Sequence, residues 1–277
     1  MQLTPYTELK WAYQLHYYLC FQAHRRRSLF RSDERITLLQ SALREICGQH
    51  DYHLLQFKTY PDHLRCLVSL RPNQPIATAI QKIKANLSRV YGAKFAVAPP
   101  LWARGYLARS TGRVRIESVK RYLENQATHH GYDKRVRPPI FRYRARAVRP
   151  LTAAHAVFDL MHHLVFATRY RRGVFDAAIG AALAAYWLNV AIKHGFAIEQ
   201  MSIVPDHIHL IVKTVPKISI ESCVLALLNN GQHFVGKRFP RALVQAGIEG
   251  LWQPSGYAGT CGQMTTALVK SFLSRKE

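Results

Sequence analysis

Two nine-residue phrases, VPDHIHLIV at Val204–Val212 and YPDHLRCLV at Tyr60–Val68, are near copies within one chain of 277 residues. The copying extends well beyond the phrase. LKWAYQLHYYLCFQAHRRRSLF (Leu9 to Phe30) aligns without a gap on AHAVFDLMHHLVFATRYRRGVF (Ala154 to Phe175), so that Leu15 meets Leu160 and Phe21 meets Phe166. LW at Leu101 recurs at Leu251, and ESVKRYLENQ (Glu117 to Gln126) faces ALVKSFLSRK (Ala267 to Lys276). Ordered anchors at offsets of 144 to 150 residues describe a tandem duplication. The expected organisation is a first unit over 1–128, a basic Pro/Arg linker over 129–152 and a second unit over 153–277.

Within each unit the pattern reads β-α-β-β-α-β with a helix at the end. In the second unit Ala156 to Thr168 is strand-like. Asp176 opens a helix carrying Ile179, Leu183, Trp187 and Val190 on one face, and Gly195 closes it. Ile198–Val204 and His207–Val215 are strands joined at Pro205-Asp206, and a further helix starts near Ser219. The first unit repeats this, with Asp33 capping one helix and Pro75 beginning another. The order is that of the split βαβ, ferredoxin-like arrangement, an α+β fold with helices on one face of an antiparallel sheet. That fold hosts many functions, so chemistry has to come from the sites.

Charge narrows the partners. Lys and Arg number 39 against 16 Asp and Glu, a net +23. Residues 1–126 hold 20 basic and 8 acidic residues, and 127–152 hold 7 and 1. An excess of this size suits a polyanion, nucleic acid or an acidic membrane surface. No apolar run reaches bilayer length, and MQLTPYTELKWAYQ lacks the pattern of a signal peptide, so a cytoplasmic, non-membrane protein is expected. Five scattered cysteines without CxxC spacing argue against disulfides and structural zinc. In the linker, Arg142, Tyr143, Arg144 and Arg146 near Phe141 suit either phosphate contact with base stacking or plain solvation. Lys84, Arg25, Arg26, Arg27, Arg171 and Arg172 are further candidate phosphate contacts, with solvated loop charges as the competing reading.

Two constellations carry chemistry. His207 and His209 sit two apart on a strand and project from the same face, so they can share one divalent cation or simply hydrogen-bond on a half-exposed strand. Tyr122 and Gln126 sit four apart on a helix and share a face. The competing arrangement there packs the tyrosine on the core and leaves Gln126 in solvent. Asp206 reads as a turn former.

Taken in order, PDHIHLIV, a helix, an LW segment, TG and VKRYLENQ resemble the single-tyrosine HUH transposases, the enzymes of small insertion sequences that move as single strands, and their REP-associated relatives. The resemblance implies two tandem HUH domains, each ending in a tyrosine-type helix. It implies Mg²⁺ or Mn²⁺ held by His207, His209 and Gln126, and Tyr122 as a nucleophile that leaves a 5′-phosphotyrosine and a free 3′-hydroxyl. Single-stranded or hairpin DNA is the implied partner, which adds nucleoid association to the expected location. A dimeric, composite site is also implied, with the histidines from one unit and the tyrosine helix from the other.

This sequence departs from that pattern in a complementary way. The first unit keeps His63 but has Arg65 in place of the second histidine. The second has Phe272 and Lys276 in place of the tyrosine and glutamine. Neither unit holds a full set. The reading is a fused, asymmetric pseudo-dimer, alone or as part of a further homodimer, with one composite site that nicks and rejoins DNA. The competing readings are a domesticated transposase that binds hairpin or single-stranded DNA without cutting, and a tandem ferredoxin-like RNA-processing protein. The last lacks its usual glycine-rich loop.

Overall fold

The computed structural model describes residues 4–112, 140–262 and 266–274. Tyr122, Gln126 and Lys276 lie outside the described residues, as do residues 129–139 of the expected linker. Among the described residues no helix is long and apolar enough to cross a membrane.

In the first half, β1 (Lys10–Gln14) and β2 (His16–Gln22) precede helix α1 (Asp33–Gln49). Then come β3 (His53–Tyr60), β4 (His63–Ser69), α2 (Ile76–Phe95) and β5 (Tyr106–Thr111). The second half follows the edge strand β6 (Phe141–Arg144). It runs β7 (Ala156–Asp159), β8 (Met161–Thr168), α3 (Ala177–His194), β9 (Ala197–Val204), β10 (His207–Lys213), α4 (Ile220–Arg238), α5 (Pro240–Ala246), β11 (Trp252–Cys261) and α6 (Thr266–Ser274).

Local chemistry sets the helix ends. Asp176 Oδ1 accepts from the amide of Ile179 at 2.8 Å and Ser219 Oγ from that of Ser222 at 3.1 Å, each satisfying an otherwise orphaned donor. Gly195 closes α3 in the left-handed region, at φ 77°. The cap of α1 is Ser32 rather than the expected Asp33, which lies in the first turn where its charge suits the helix dipole. The inward faces then meet the sheets. Leu39, Leu43, Ile80, Ile83 and Leu87 lie against Leu19, Phe21, Leu64 and Val68. Ile179, Leu183, Trp187, Val224 and Leu227 lie against Leu164, Phe166, Ile208 and Leu210. All belong to one continuous buried cluster, so the halves share a core.

Four strands of each half pair antiparallel, in the order β3-β4-β2-β5 and β9-β10-β8-β11, the ferredoxin-like arrangement. Each sheet also takes a strand from the other half. β1 lies parallel on β11, from Lys10 opposite Ser255 to Gln14 opposite Gly259. β7 lies parallel on β5, from Tyr106 opposite Ala156 to Arg109 opposite Asp159. The single strand expected over Ala156–Thr168 is therefore two strands in different sheets, broken at Leu160. Its counterpart Leu15 marks the same break in the first half, and each leucine is 1 % exposed. The sheets are mixed rather than purely antiparallel because the exchanged strands run parallel.

The seam between the sheets obeys the repeat. Ser110 Oγ accepts from the amide of Met161 at 2.9 Å and donates to the carbonyl of Cys261 at 2.6 Å. Thr260, its counterpart, accepts from the amide of His16 at 3.0 Å and donates to the carbonyl of Thr111 at 2.6 Å. The backbones approach so closely that a Cβ on Gly112 would collide with the Thr260 carbonyl, and one on Gly262 would lie 2.8 Å from the Ser110 carbonyl. Tyr17 and His162, a further equivalent pair, meet across this pseudo-two-fold with Oη and Nε2 3.0 Å apart.

Full burial lowers the His162 pKa to about 3, so the ring is neutral in the folded chain near pH 7. An unfolded chain protonates it below about pH 6.5. The stability it contributes is therefore complete above that pH and is lost as pH falls from about 6.5 toward 3. Thermal melts across this window should show a decline, with His162 contributing at most about 1.4 kcal/mol per pH unit. His162→Phe should make the decline shallower.

The end of the chain also crosses over. Val269 and Phe272 of α6 are buried in a small cluster with Cys20 of β2 and Leu107 of β5. Gln22 Nε2 donates to the Leu273 carbonyl at 3.3 Å. The terminal helix of the second half thus packs on the sheet of the first.

Candidate active site: a histidine pair and its altered twin

β10 places His207 and His209 on one face and turns Ile208 into the core, as strand parity requires. The two rings stand 5.1 Å apart between centroids. They are 2 % and 6 % exposed, so the strand is buried rather than half-exposed at this point. Asp206 Oδ1 lies 2.6 Å from His207 Nδ1, and Asp206 Oδ2 lies 2.8 Å from Arg171 Nε. His163 Nε2 lies 3.0 Å from His209 Nδ1, with the two rings nearly parallel at 16°. In each ring Nδ1 is committed to a neighbour, so Nε2 is the nitrogen suited to a cation. A carboxylate on the far nitrogen of a ligating histidine fixes its tautomer and raises its basicity. The donor set therefore fits a divalent metal, although among the described residues no group of three His, Cys, Asp or Glu side chains gathers.

Burial pulls the Asp206 pKa upward, but the hydrogen bond and charge of His207 and the charge of Arg171 outweigh it and leave the carboxyl more acidic than usual. Asp206 is thus a turn residue that also orients His207. Arg171 reaches it from a short 3-10 turn (Arg169–Arg171) in which Tyr170 and Arg171 have φ of 55° and 56°, a costly conformation for non-glycine residues. The same turn recurs at His24–Arg26, where Arg26 Nε is 3.7 Å from Asp62 Oδ2.

The equivalent face of the first sheet has been rebuilt. His63 Nδ1 keeps its aspartate, 2.7 Å from Asp62 Oδ1. Arg65 Nε, however, donates to His63 Nε2 at 3.1 Å, consuming the nitrogen that would bind a cation. The guanidinium lies 4.2 Å from the Tyr60 ring centroid, donates to Tyr60 Oη at 3.2 Å, and lies near Tyr18 and Cys20. Burial keeps His63, Tyr18 and Cys20 in their neutral forms near pH 7. Burial lowers the His63 pKa, opposed by Asp62, and pushes the Tyr18 phenol and the Cys20 thiol each up to about 12. A permanent cation in this position repels a metal. Phe272 packs on Cys20, whose cross-strand partner is Arg65, so α6 lies over this altered face.

The other candidate cations are distributed unevenly. Lys84 Nζ is 2.6 Å from the Ala103 carbonyl and 3.3 Å from those of Arg104 and Gly105, which ties down a loop. Arg27 binds the carbonyls of Ala98 and Pro100. Arg25 and Arg172 are exposed. β6 pairs with β9, Arg142 opposite Ser202 and Arg144 opposite Gln200. Its arginines are exposed, while Phe141 and Tyr143 pack against the core, so those two rings are committed to packing rather than presented to bases. Sequence reasoning missed His163 as the brace of His209, and the gathering of Tyr18, Tyr60 and Lys58 around Arg65. The paired histidines in DLMHHLVF were the only local signal for the first.

Fold and site together define a duplicated ferredoxin-like protein with one intact strand-borne histidine pair and one in which arginine has taken the second position. The pattern of the family described as "Transposase IS200 like" matches residues 11–126 and again 156–276, and the chain belongs to that family. The ISDra2 transposase TnpA of Deinococcus radiodurans is 25 % identical over 117 residues, covering 42 % of this chain and 84 % of that protein. A solved structure of a chain assigned as a transposase from D. radiodurans R1 is 26 % identical, covering 44 % of this chain and 94 % of that one, with a TM-score of 0.38. A REP-associated tyrosine transposase solved with a REP hairpin is 12 % identical over 47 % of this chain and 74 % of that one, with a TM-score of 0.30.

Proposed function

We propose that the chain nicks and rejoins single-stranded or hairpin DNA at one composite centre, to which Tyr122 and Gln126 come from the first half and His207 and His209 from the second. The observation that carries this reading is the crossing of α6. The aligned segment of the first half carries Tyr122 and Gln126, and the repeat relating the halves, with Phe272 over the Arg65 face, supports the same crossing for that segment, toward the His207/His209 face.

His207 Nε2, His209 Nε2 and the Gln126 amide oxygen would hold Mg²⁺ or Mn²⁺. When bound, the ion supplies charge neutralisation and orientation to the scissile phosphate. The chain's own residues do the rest. Asp206 and His163 hold the two imidazoles in place. The Tyr122 oxygen attacks phosphorus in line as its proton departs, a phosphorus–oxygen bond to the tyrosine forms, and the bond to the 3′-oxygen breaks. That oxygen takes up a proton and leaves as a 3′-hydroxyl. Attack by another 3′-hydroxyl reverses these steps, returns the tyrosine and rejoins the strand without ATP. One such centre per chain cuts one strand at a time.

The test is a 3′-labelled strand, linear or hairpin, incubated with the full chain and Mn²⁺. The protein should become covalently labelled on the peptide holding Tyr122, and chelation should abolish the label. Binding that persists across hairpin substrates with no adduct would overturn the nuclease and leave a DNA-binding protein.

Asp206→Asn removes the charge behind His207 without changing its shape. Metal affinity, measured by Mn²⁺ titration of adduct formation, should fall about 10- to 100-fold, with the maximal adduct yield recovered at high metal.

A further inference from the structure

Between the two copies, four positions around the histidine pair have changed together. His209, His163, Ser202 and Val204 in the second half correspond to Arg65, Tyr18, Lys58 and Tyr60 in the first. The exchange removes two imidazoles and installs two cations and two phenols on one face. Lys58 stands directly opposite Arg65 across β3 and β4, and its ammonium lies 5.4 Å from the Tyr60 ring centroid. Tyr60 is stacked on His63 at 4.3 Å and 7°, which holds its ring in a fixed plane. Among the described residues no carboxylate lies within 4.0 Å of either cation, and Arg65 hydrogen-bonds the His63 ring and the Tyr60 hydroxyl. A cavity of about 390 Å³ opens here, lined by Tyr18, Gln56, Lys58, Tyr60 and Arg65 among others, with no acidic residue in its wall. β3 is the edge of its sheet, whereas the matching edge of β9 is covered by β6.

Loss of a metal ligand alone would leave a gap or a neutral side chain. What stands here, among the described residues, is a pair of cations with no carboxylate in contact, beside a fixed aromatic ring, in a cavity of about 390 Å³. Arginine presents a planar fork that matches a phosphate, and aromatic faces stack bases of any sequence. We propose that this altered face is a metal-independent binding site for single-stranded DNA, holding a backbone phosphate on Arg65 and Lys58 and a base against Tyr60, without cutting it. The site would tether a second stretch of strand while the composite centre acts on the first. It shares with the proposed function only the choice of DNA as partner, and requires neither Tyr122 nor a metal.

The experiment follows fluorescence anisotropy of a mixed-sequence single DNA strand on the full chain in EDTA, where the composite centre is silent. Arg65→Gln and Lys58→Gln should each weaken binding roughly five- to tenfold and reduce the salt slope by about one. Lys58 is exposed, so its variant tests the site without threatening the fold. A strand carrying iodouracil should photo-crosslink to the peptide containing Tyr60. Unchanged affinity and salt slope in both variants, with no crosslink at Tyr60, would overturn the proposal. Equal binding of an RNA strand would overturn the assignment to DNA. Displacement of the strand by micromolar dAMP or inorganic phosphate would show a free-nucleotide or anion site and overturn a strand site. Failure of these tests with adduct formation intact leaves the composite centre standing, and the reverse outcome leaves this site standing.

Discussion

Tyr122→Phe should reduce covalent capture of DNA by at least about 10³-fold, because removing a nucleophile removes the reaction path rather than weakening it. Its DNA affinity should stay within about twofold, since a single hydroxyl adds little to contacts dominated by phosphate charge. His207→Ala combined with His209→Ala should silence the chain as completely, from the other half. Mixing the two inactive proteins in equal amounts separates two geometries. If each centre closes within one chain, the mixture contains only broken centres and stays silent. Recovery of adduct on mixing would show that the tyrosine helix crosses between chains, and would sink the intramolecular arrangement. A wild-type level of adduct from Tyr122→Phe alone would remove the nucleophile from the scheme altogether.

The second large effect is a gain. In this reading the first half lacks a centre because Arg65 blocks the histidine pair and because α6 brings Phe272, not a tyrosine, over it. Arg65→His, Tyr18→His, Phe272→Tyr and Lys276→Gln, made together in a chain that also carries Tyr122→Phe, should restore metal-dependent adduct formation from background. The label should map to the peptide carrying position 272. Tyr18 is included because His163, its counterpart, braces His209 through the 3.0 Å contact. The packing cost is moderate. Phe272 is buried against Cys20 and Leu107, and a hydroxyl added there needs the polar face that the two histidines would supply. Three of the four changes, leaving Arg65 in place, should recover nothing, because its guanidinium occupies the nitrogen of His63 that a metal would use. A folded quadruple variant with no adduct, alongside an active parent, would mean that the halves differ in more than these side chains.

Much of the architecture was written in the sequence because it rests on backbone geometry and near neighbours. The duplication, the helix caps at Asp176 and Ser219, the left-handed stop at Gly195 and the projection of His207 and His209 to one face all follow from periodicity and local hydrogen bonding. Errors of one position, such as Ser32 for Asp33, came from two adjacent residues that both suit a helix start. The complementary losses at Arg65 and Phe272 were also legible, since they need only an alignment of the chain on itself.

Only the tertiary structure decided which half supports which. The breaks at Leu15 and Leu160, the parallel exchange of β1 and β7, and the passage of α6 onto the opposite sheet leave no local signature, because the residues they join lie far apart in the chain. The braces behind the histidines were hidden for the same reason. His163 reaches His209 across a strand pair, and Arg171 meets Asp206 only after a left-handed turn aims it there. Side-chain identity could name the groups able to hold a metal or attack a phosphate. Which sheet each exchanged strand and α6 pack on was decided by long-range packing, which periodicity does not encode.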